Sequence, residues 1–307
     1  MLNILGKRYL FFALSLVLIV PGLIVMAVMG LPLAIDFTGG LLLEVKFDTI
    51  AAPAPADVIQ LYEELGITNT NVQTSGDNIL IIRSSFVDDD TRASIISAMT
   101  ERFGAEPVVL RFDSVGPTIG QEVTSRAGLA VAVAALGVIL YITFAFRGIP
   151  HAFRYGVCAI IAMLHDGLVV LSISAIGGHF FGWQIDSLFL TALLTVIGFS
   201  VQDKIVVFDR IRENSAIFRK LDFEKLANHS IVQTLQRSIN TQLMTSEFML
   251  LALALFGGVT LREFAIILLV GLFMGTYSSI FIAAPFLVVW EKREWKTWFK
   301  GSKTASA

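Results

Sequence analysis

Four charged side chains stand inside otherwise apolar stretches of this sequence, and they are the residues best placed to do chemistry. They are Asp166, Asp203, Lys204 and Glu247. A charge inside a long apolar segment is costly to place in a membrane, so it usually faces the protein interior and has a partner there. A carboxyl group in such surroundings can take up and release a proton near neutral pH. The four residues therefore indicate either proton transfer or ion pairs that join helices.

Asp203 is the first candidate for a proton carrier, and the alternative is an ion pair that only packs helices. Asp166 follows His165, and this pair either relays protons or only joins neighbouring helices. Lys204 and Glu247 lie at matching depths, each about one and a half helical turns inside its apolar segment. We therefore predict an interhelical ion pair between Lys204 and Glu247. That pair would leave Asp203 free to titrate, since adjacent helical residues point about 100° apart.

Other residue patterns that could do chemistry are weak. Cys158 is the only cysteine, and the four histidines lack the spacing of metal ligands. The run at residues 88–90 is three aspartates at the start of a predicted helix, where capping and the helix dipole explain acidic residues better than a metal does. No nucleophile–base set or phosphate-binding loop is present in the sequence. We expect no enzymatic activity, no cofactor, no metal and no nucleic-acid partner.

The composition indicates that membrane-spanning helices position the charged residues. Hydrophobic residues make up 55% of the 307 residues and charged residues only 16%, against about 25% in soluble domains. A span needs about 20 apolar residues. Six segments satisfy this requirement, at residues 1–30, 127–146, 154–177, 185–208, 241–261 and 264–290. We expect five of them to form one region at residues 127–290, followed by a cytoplasmic tail at residues 291–307.

The distribution of Lys and Arg predicts the orientation. Residues 178–184 carry no Lys or Arg, and residues 257–263 carry only Arg262. The opposite side takes the basic residues of the other short connections: Lys7, Arg8, Arg147, Arg154, Arg210, Arg212, Arg219, Lys220, Lys225 and Arg237. Because short cytoplasmic loops are enriched in basic residues, we expect both termini in the cytoplasm and membrane lipid around the spans.

Residues 31–126 change from apolar runs to the periodicity of a small folded domain. Strands are predicted at residues 40–48, 69–74, 79–84 and 107–113, and helices at residues 55–66 and 88–103. The order βαββαβ is that of the ferredoxin-like fold, an antiparallel sheet with two helices on one face. The alternative is another small α+β domain. We expect this domain on the outer, periplasmic side.

Three motifs carry a family resemblance: DFTGG at residues 36–40, VGPTIGQE at residues 115–122 and GFSVQDKIVVFDRIREN at residues 198–214. Together with the six spans and the domain between the first two, they resemble the SecF family of the resistance-nodulation-division superfamily. The motif residues that we single out are Asp36, Phe37, Thr38, Gly39, Gly40, Gly116, Pro117, Gly120, Asp209 and Arg210.

The resemblance implies an inner-membrane subunit that pairs with SecD, joins the SecYEG channel and uses proton flow to pull an exported polypeptide outward. Asp203 matches the aspartate of the family's Asn-Asp-Thr sequence on the proton route, although Gln202 and Lys204 replace its neighbours. Arg237, in LQRSINT, matches an arginine of the same route, and the alternative is an inner-face arginine that snorkels. A His-Asp pair recurs in the family, which adds Asp166.

Two rival functions remain at this point. One is a proton-coupled exporter of lipids or small molecules, although such exporters usually have twelve spans and two outer domains in one chain. The other is a non-conducting scaffold for SecD, which the replacements at Gln202 and Lys204 favour.

The motifs also contain glycine and proline residues with structural interpretations. Gly39 and Gly40 suit unusual backbone angles or close packing. Gly116, Pro117 and Gly120 suit either a hinge or an ordinary turn.

Overall fold

The computed structural model describes residues 2–48, 51–75, 78–147, 152–242, 248–257 and 259–298. The helices of this part are α1 (Arg8–Met29), α2 (Ile35–Thr38), α3 (Pro55–Glu64), α4 (Asp89–Phe103), α5 (Pro117–Ala145), α6 (Ala152–Phe181), α7 (Ser187–Ile217), α8 (Phe223–Gln242), α9 (Phe248–Phe256), α10 (Val259–Ser278), α11 (Ala284–Glu291) and α12 (Trp295–Trp298). The strands are β1 (Gly40–Lys46), β2 (Asn71–Ser75), β3 (Ile79–Ser84) and β4 (Val108–Val115). A 3₁₀ turn at Leu5–Lys7 precedes α1, and a π-helical segment at Ser279–Ala283 joins α10 to α11.

The chain forms two compact units. The α+β unit is Leu33–Leu129, and the helical unit combines Met1–Pro32 with Ala130–Ala307. The sequence predicts an outer domain at residues 31–126. Its periplasmic location stays a prediction.

The sheet of the α+β unit is antiparallel, as the sequence predicts. Its order is β2-β3-β1-β4, and every neighbouring pair is antiparallel. Leu41, Leu43 and Val45 of β1 are buried while the residues between them are less so, as expected for a strand with one face on a core. Helices α3 and α4 contribute Tyr62 and Met99 to this core. The ferredoxin-like prediction is confirmed.

Local signals set the ends of the two helices of this unit. Pro55 begins α3, where its missing N–H would have no helical partner. Asp88 caps α4 by accepting a hydrogen bond from the Thr91 amide at 3.0 Å. The hydrogen bonds from the Thr91 hydroxyl and amide lower the pKa of Asp88. Gly104, at φ 73°, ends the helix in a left-handed conformation that favours glycine. Capping therefore explains the first aspartate of the acidic run.

Five helical stretches of the described residues are long and apolar enough to span a membrane. They are Leu5–Met29, Pro117–Ala145, Ala152–Phe181, Ser187–Ile217 and Leu261–Glu291. The span expected at residues 241–261 includes residues 243–247 and 258, which lie outside the described residues, and α9 is its longest described part. The count of six spans therefore stays a prediction.

Candidate functional site

Asp166 stands at the centre of a buried polar cluster in the helical unit. Its side chain is completely buried in α6. One carboxylate oxygen, Oδ1, lies 2.9 Å from Nδ1 of His165. The other, Oδ2, accepts hydrogen bonds from Lys204 Nζ at 2.8 Å, Ser200 Oγ at 2.5 Å and Ser278 Oγ at 2.7 Å. Residues of α6, α7 and α10 therefore meet at one carboxylate.

Lys204 is the fully buried cation of this cluster. Its Nζ donates to Asp166 Oδ2 and to the Ser200 carbonyl oxygen at 3.2 Å, and it also contacts the Ser200 hydroxyl. An ammonium has three N–H donors, so these three oxygens satisfy it completely. Lys204 therefore pairs with Asp166, a partner that the sequence analysis did not assign to it. Glu247 lies outside the described residues, and its pairing with Lys204 stays a prediction.

Asp203 immediately precedes Lys204 in α7, and its partner lies on α10 rather than on α6. Its side chain is half-buried, and Oδ2 accepts a hydrogen bond from Thr276 Oγ1 of α10 at 2.7 Å. Arg237 is exposed on α8, and its charge acts on the Asp203 carboxylate without an ion pair between the two in the described part of the chain. Asp166 and Asp203 thus have different hydrogen-bond partners, although Asp203 is adjacent to Lys204.

Close packing of α7 against α10 brings the hydroxyl donors to the carboxylates. A Cβ added at Gly271 would lie 2.2 Å from Val196 Cγ2, and one at Gly275 would lie 3.2 Å from the Cα of Ser200. Glycines four residues apart are a known basis for close helix approach in membranes. Thr276 follows Gly275 directly, so the same contact places its hydroxyl within reach of α7.

The π-helical segment begins immediately after Ser278, the last residue of α10. Pro285 near the start of α11 has no N–H and cannot bond to the carbonyl four residues earlier. A wider turn accommodates this loss, and π-helical turns occur frequently at functional sites. The segment therefore marks the place where the last helix departs from regular geometry, next to Asp166.

A second polar connection leads from the cluster to α1. The rings of His165 and Tyr277 are stacked with centroids 6.3 Å apart. The hydroxyl of Tyr277 donates a hydrogen bond to the Phe11 carbonyl oxygen at 3.1 Å. His165 is therefore held between Asp166 and an aromatic side chain that is itself fixed to α1.

The glycine motifs form a separate feature within the α+β unit. Gly39 and Gly40 have φ angles of 72° and 135°, which residues other than glycine rarely adopt. A Cβ at Gly120 would lie 2.7 Å from the Gly39 nitrogen, and Thr124 Oγ1 donates to the Phe37 carbonyl oxygen at 3.0 Å. The motifs at residues 36–40 and 115–122 therefore pack on each other.

The connection from β4 to α5 is correspondingly short. Gly116 alone separates Val115, the last residue of β4, from Pro117, the first residue of α5. The packing around Gly39 and Gly120 favours the turn interpretation of this segment over the hinge interpretation.

The remaining motif residues lie in the short helix α2 and in the last third of α7. Asp36 lies in α2, and the Thr38 hydroxyl donates to the Ala34 carbonyl oxygen at 3.1 Å. Asp209 pairs with Arg212 at 2.6 Å, and Arg210 pairs with Glu213 at 2.8 Å. Both pairs are largely solvent-accessible, and such pairs contribute little to stability.

The sequence analysis did not identify the hydroxyl groups of the cluster. Ser200 and Ser278 donate hydrogen bonds to Asp166, and Thr276 donates one to Asp203. These residues could have been recognised in the sequence as hydroxyl residues inside apolar segments, near the glycines at 271 and 275. Hydroxyl side chains form interhelical hydrogen bonds where glycines bring helices together.

Comparison with known proteins gives the family of the chain. The family described as "Protein export membrane protein SecD/SecF, C-terminal" matches residues 95–293, and "SecD/SecF GG Motif" matches residues 24–49. A protein named "Protein translocase subunit SecF" from Anaerolinea thermophila is 73% identical over 100% of both chains. The chain belongs to the SecF family of protein translocase subunits. A SecF-family relative from Thermobaculum terrenum is 44% identical over 100% of this chain and 99% of its own.

Longer relatives contain a SecF-like region as one part. The crystal structure of SecDF from Thermus thermophilus has a TM-score of 0.83 and 31% identity, covering 95% of this chain and 39% of that chain. The SecDF protein of Bacillus subtilis is 34% identical over 95% of this chain and 38% of its own length. This SecF-family chain thus spans about two fifths of each of those proteins.

Proposed function

We propose that this SecF-family chain works with a SecD partner and uses proton flow to complete protein export across the inner membrane. SecDF relatives support the partnership, because in them the region similar to this chain is part of a longer protein. The SecYEG channel and the exported polypeptide as partners, with both termini in the cytoplasm, complete the proposal. Family membership disfavours the small-molecule exporter.

The buried Asp166–Lys204 pair is the observation that carries the proposal. Removing two charges from water is expensive, and apolar residues of similar volume often stabilise a protein as well or better. Helix packing alone therefore gives a weak reason for a completely buried ion pair in an apolar helical unit. A site that exchanges a proton gives a stronger one, since it requires an ionisable group at this place.

Protonation would change how three helices are held together. Ionised, Asp166 is an acceptor for Lys204, Ser200 and Ser278. A proton on Asp166 removes the charge that holds the Lys204 ammonium and converts one oxygen into a donor. The hydrogen bonds that join α6, α7 and α10 must then rearrange. We propose this rearrangement as the step that links proton transfer to motion of the helices.

Asp203 is the proposed loading group of the route. It is half-buried, whereas Asp166 is completely buried, so it is the carboxylate with easier access to water. Thr276 donates to it, and the charge of Arg237 acts on it. We propose that a proton taken up by Asp203 passes to Asp166 along the contact between α7 and α10.

A non-conducting scaffold for SecD is the second candidate function. The observation that favours it is that the Lys204 ammonium already balances the charge of Asp166, as it would in a purely structural ion pair. The two candidates differ in one respect: a scaffold requires no titrating group, whereas coupled export does.

Asp203→Asn separates the candidates, because it keeps shape and hydrogen bonding but removes the titrating proton. We expect the variant to insert and to bind SecD, while export in vesicles with SecYEG and SecA falls to the rate measured without a proton gradient. Asp209→Asn, at an exposed pair on the same helix, is the matched control and should keep the gradient effect. A full gradient effect in Asp203→Asn would favour the scaffold.

A further inference from the structure

The ammonium of Lys204 lies in a small cage of oxygen atoms inside the helical unit. Its ligands are Asp166 Oδ2 at 2.8 Å, the Ser200 carbonyl oxygen at 3.2 Å and the Ser200 hydroxyl. Ser278 Oγ, 2.7 Å from the same Asp166 oxygen, adds another hydroxyl beside the cage. Asp166, Lys204 and Ser278 are 0% exposed and Ser200 is 1% exposed. The ammonium and its oxygen partners are therefore closed off from solvent.

The chemistry of the cage is that of a site for a small hard cation. Carboxylate, hydroxyl and backbone carbonyl oxygens are the donors that hard cations take. One carboxylate supplies a single negative charge, which balances a monovalent ion. Among the described residues, no group of three or more His, Cys, Asp or Glu side chains could hold a metal, so the donors for a divalent ion are lacking here.

We propose that this cage is a binding site for a monovalent cation such as Na⁺, which the chain fills with its own Lys204 ammonium. Lys204 and Ser200 are four residues apart on α7, so the side chain folds along its own helix to reach the cage. A dissolved ion that displaced it would leave a buried ammonium without a partner, which is strongly unfavourable. The wild-type chain therefore excludes free Na⁺, and shortening the side chain opens the site to it.

The consequence for transport is that proton coupling in this chain is independent of Na⁺, and that consequence rests on the proposed function. The proposed binding site itself does not depend on the proposed function. Its test measures ion binding alone, so it gives an answer whether or not the chain conducts protons.

The test uses the purified full chain in detergent, with NaCl compared with choline chloride at equal ionic strength. An ion that binds only the folded state raises the unfolding temperature as its concentration rises. We expect Lys204→Ala to unfold several degrees higher in NaCl and to bind ²²Na⁺ saturably. We expect the wild type to show neither effect. Lys225→Ala, at an exposed lysine of α8, is the matched control and should behave as the wild type does.

Two further variants define the site. Lys204→Ala combined with Asp166→Asn removes the carboxylate, and its Na⁺ effect should disappear. Lys204→Met fills the space with an apolar chain of similar length and should bind no Na⁺. The proposal is overturned if Lys204→Ala shows no Na⁺ effect, if the wild type shows an equal one, or if the double variant keeps it. Failure of Lys204→Ala to fold in either salt, while Lys204→Met folds, would also overturn it.

Discussion

The α+β unit has its described ion pairs at the surface, whereas the helical unit also has one that is completely buried. In the α+β unit, the described core is apolar, and a pair such as Arg111–Asp113 has both side chains about two fifths exposed. In the helical unit, Asp166 and Lys204 are completely buried, whereas the apolar side chains of Leu136 and Phe144 are 55% and 60% exposed. Water solvates the charges of the first unit, and lipid is the expected surroundings of the second.

Because of this difference, removing one charge of an ion pair should cost more stability at Asp166–Lys204 than at an exposed pair of the α+β unit. Surface charges of the α+β unit keep their hydration whether or not they are paired. The buried charges of Asp166 and Lys204 instead depend on each other, on the hydroxyls of Ser200 and Ser278, on the His165 ring and on the Ser200 carbonyl oxygen. Substitutions made in matched pairs measure how large this difference in stability is.

The largest effect is expected for Asp166→Asn, which leaves the Lys204 ammonium buried without its counter-charge. Losing one partner of a buried pair costs about 3–5 kcal/mol. Asp113→Asn, at the exposed pair with Arg111, should cost at most about 1 kcal/mol. Thermal unfolding of both variants in detergent measures the contrast. Equal small losses would show that Asp166 and Lys204 are not a tightly coupled pair.

A smaller effect is expected for Gly271→Leu, which tests the packing that positions the hydroxyl groups. A Cβ at this position would lie 2.2 Å from Val196 Cγ2, and overpacking of this kind costs about 1–3 kcal/mol. Gly137→Leu on α5 is the matched control, because nothing lies within 4 Å of a Cβ added there. The unfolding temperature should fall for Gly271→Leu only. A similar fall in both variants would show that the loss does not come from the α7–α10 contact, since leucine has a higher helix propensity than glycine.

The smallest effect concerns Glu224 in α8, which pairs with Lys292 at 2.5 Å and with Arg8 at 2.9 Å. The hydrogen bond from Lys292, followed by that from Arg8, lowers the pKa of Glu224. A lowered pKa in the folded state means that the stabilisation is complete above the ordinary carboxyl pKa of about 4.3 and is lost as pH falls below it. Acidification from about pH 5 to 3 should therefore destabilise the wild type.

Glu224→Gln should remove up to about 1 kcal/mol of this acid dependence. Unfolding temperatures of wild type and variant across this pH range provide the measurement. Glu213→Gln, at the exposed pair with Arg210, is the control and should leave the acid dependence nearly unchanged. Parallel curves for the wild type and Glu224→Gln would contradict the prediction.

The sequence predicts the α+β unit well because its signals are local. Alternation in β1, the proline that begins α3 and the aspartate that caps α4 each depend on a few neighbouring residues. These signals also agree with one another, which is why the order of elements follows from them.

The candidate site is less predictable because its contacts join distant parts of the chain. Intramembrane charge identifies Asp166 and Asp203 from the sequence alone. The partner of Lys204 does not follow, since matching depth along two helices does not specify which helices are neighbours. The glycines at 271 and 275 determine the α7–α10 contact, and Ser278 reaches Asp166 through that packing. Only tertiary structure shows which hydroxyl groups are donors.

Proton flux through the purified complex of this chain with its SecD partner tests whether Asp203 and Asp166 carry protons. Proteoliposomes that contain the complex and a trapped pH indicator are exposed to an external pH step. We expect the wild type and Asp209→Asn to conduct protons, whereas Asp203→Asn and Asp166→Asn should not. Flux in Asp203→Asn and Asp166→Asn equal to that of the wild type would contradict the assignment of these carboxylates to the proton route.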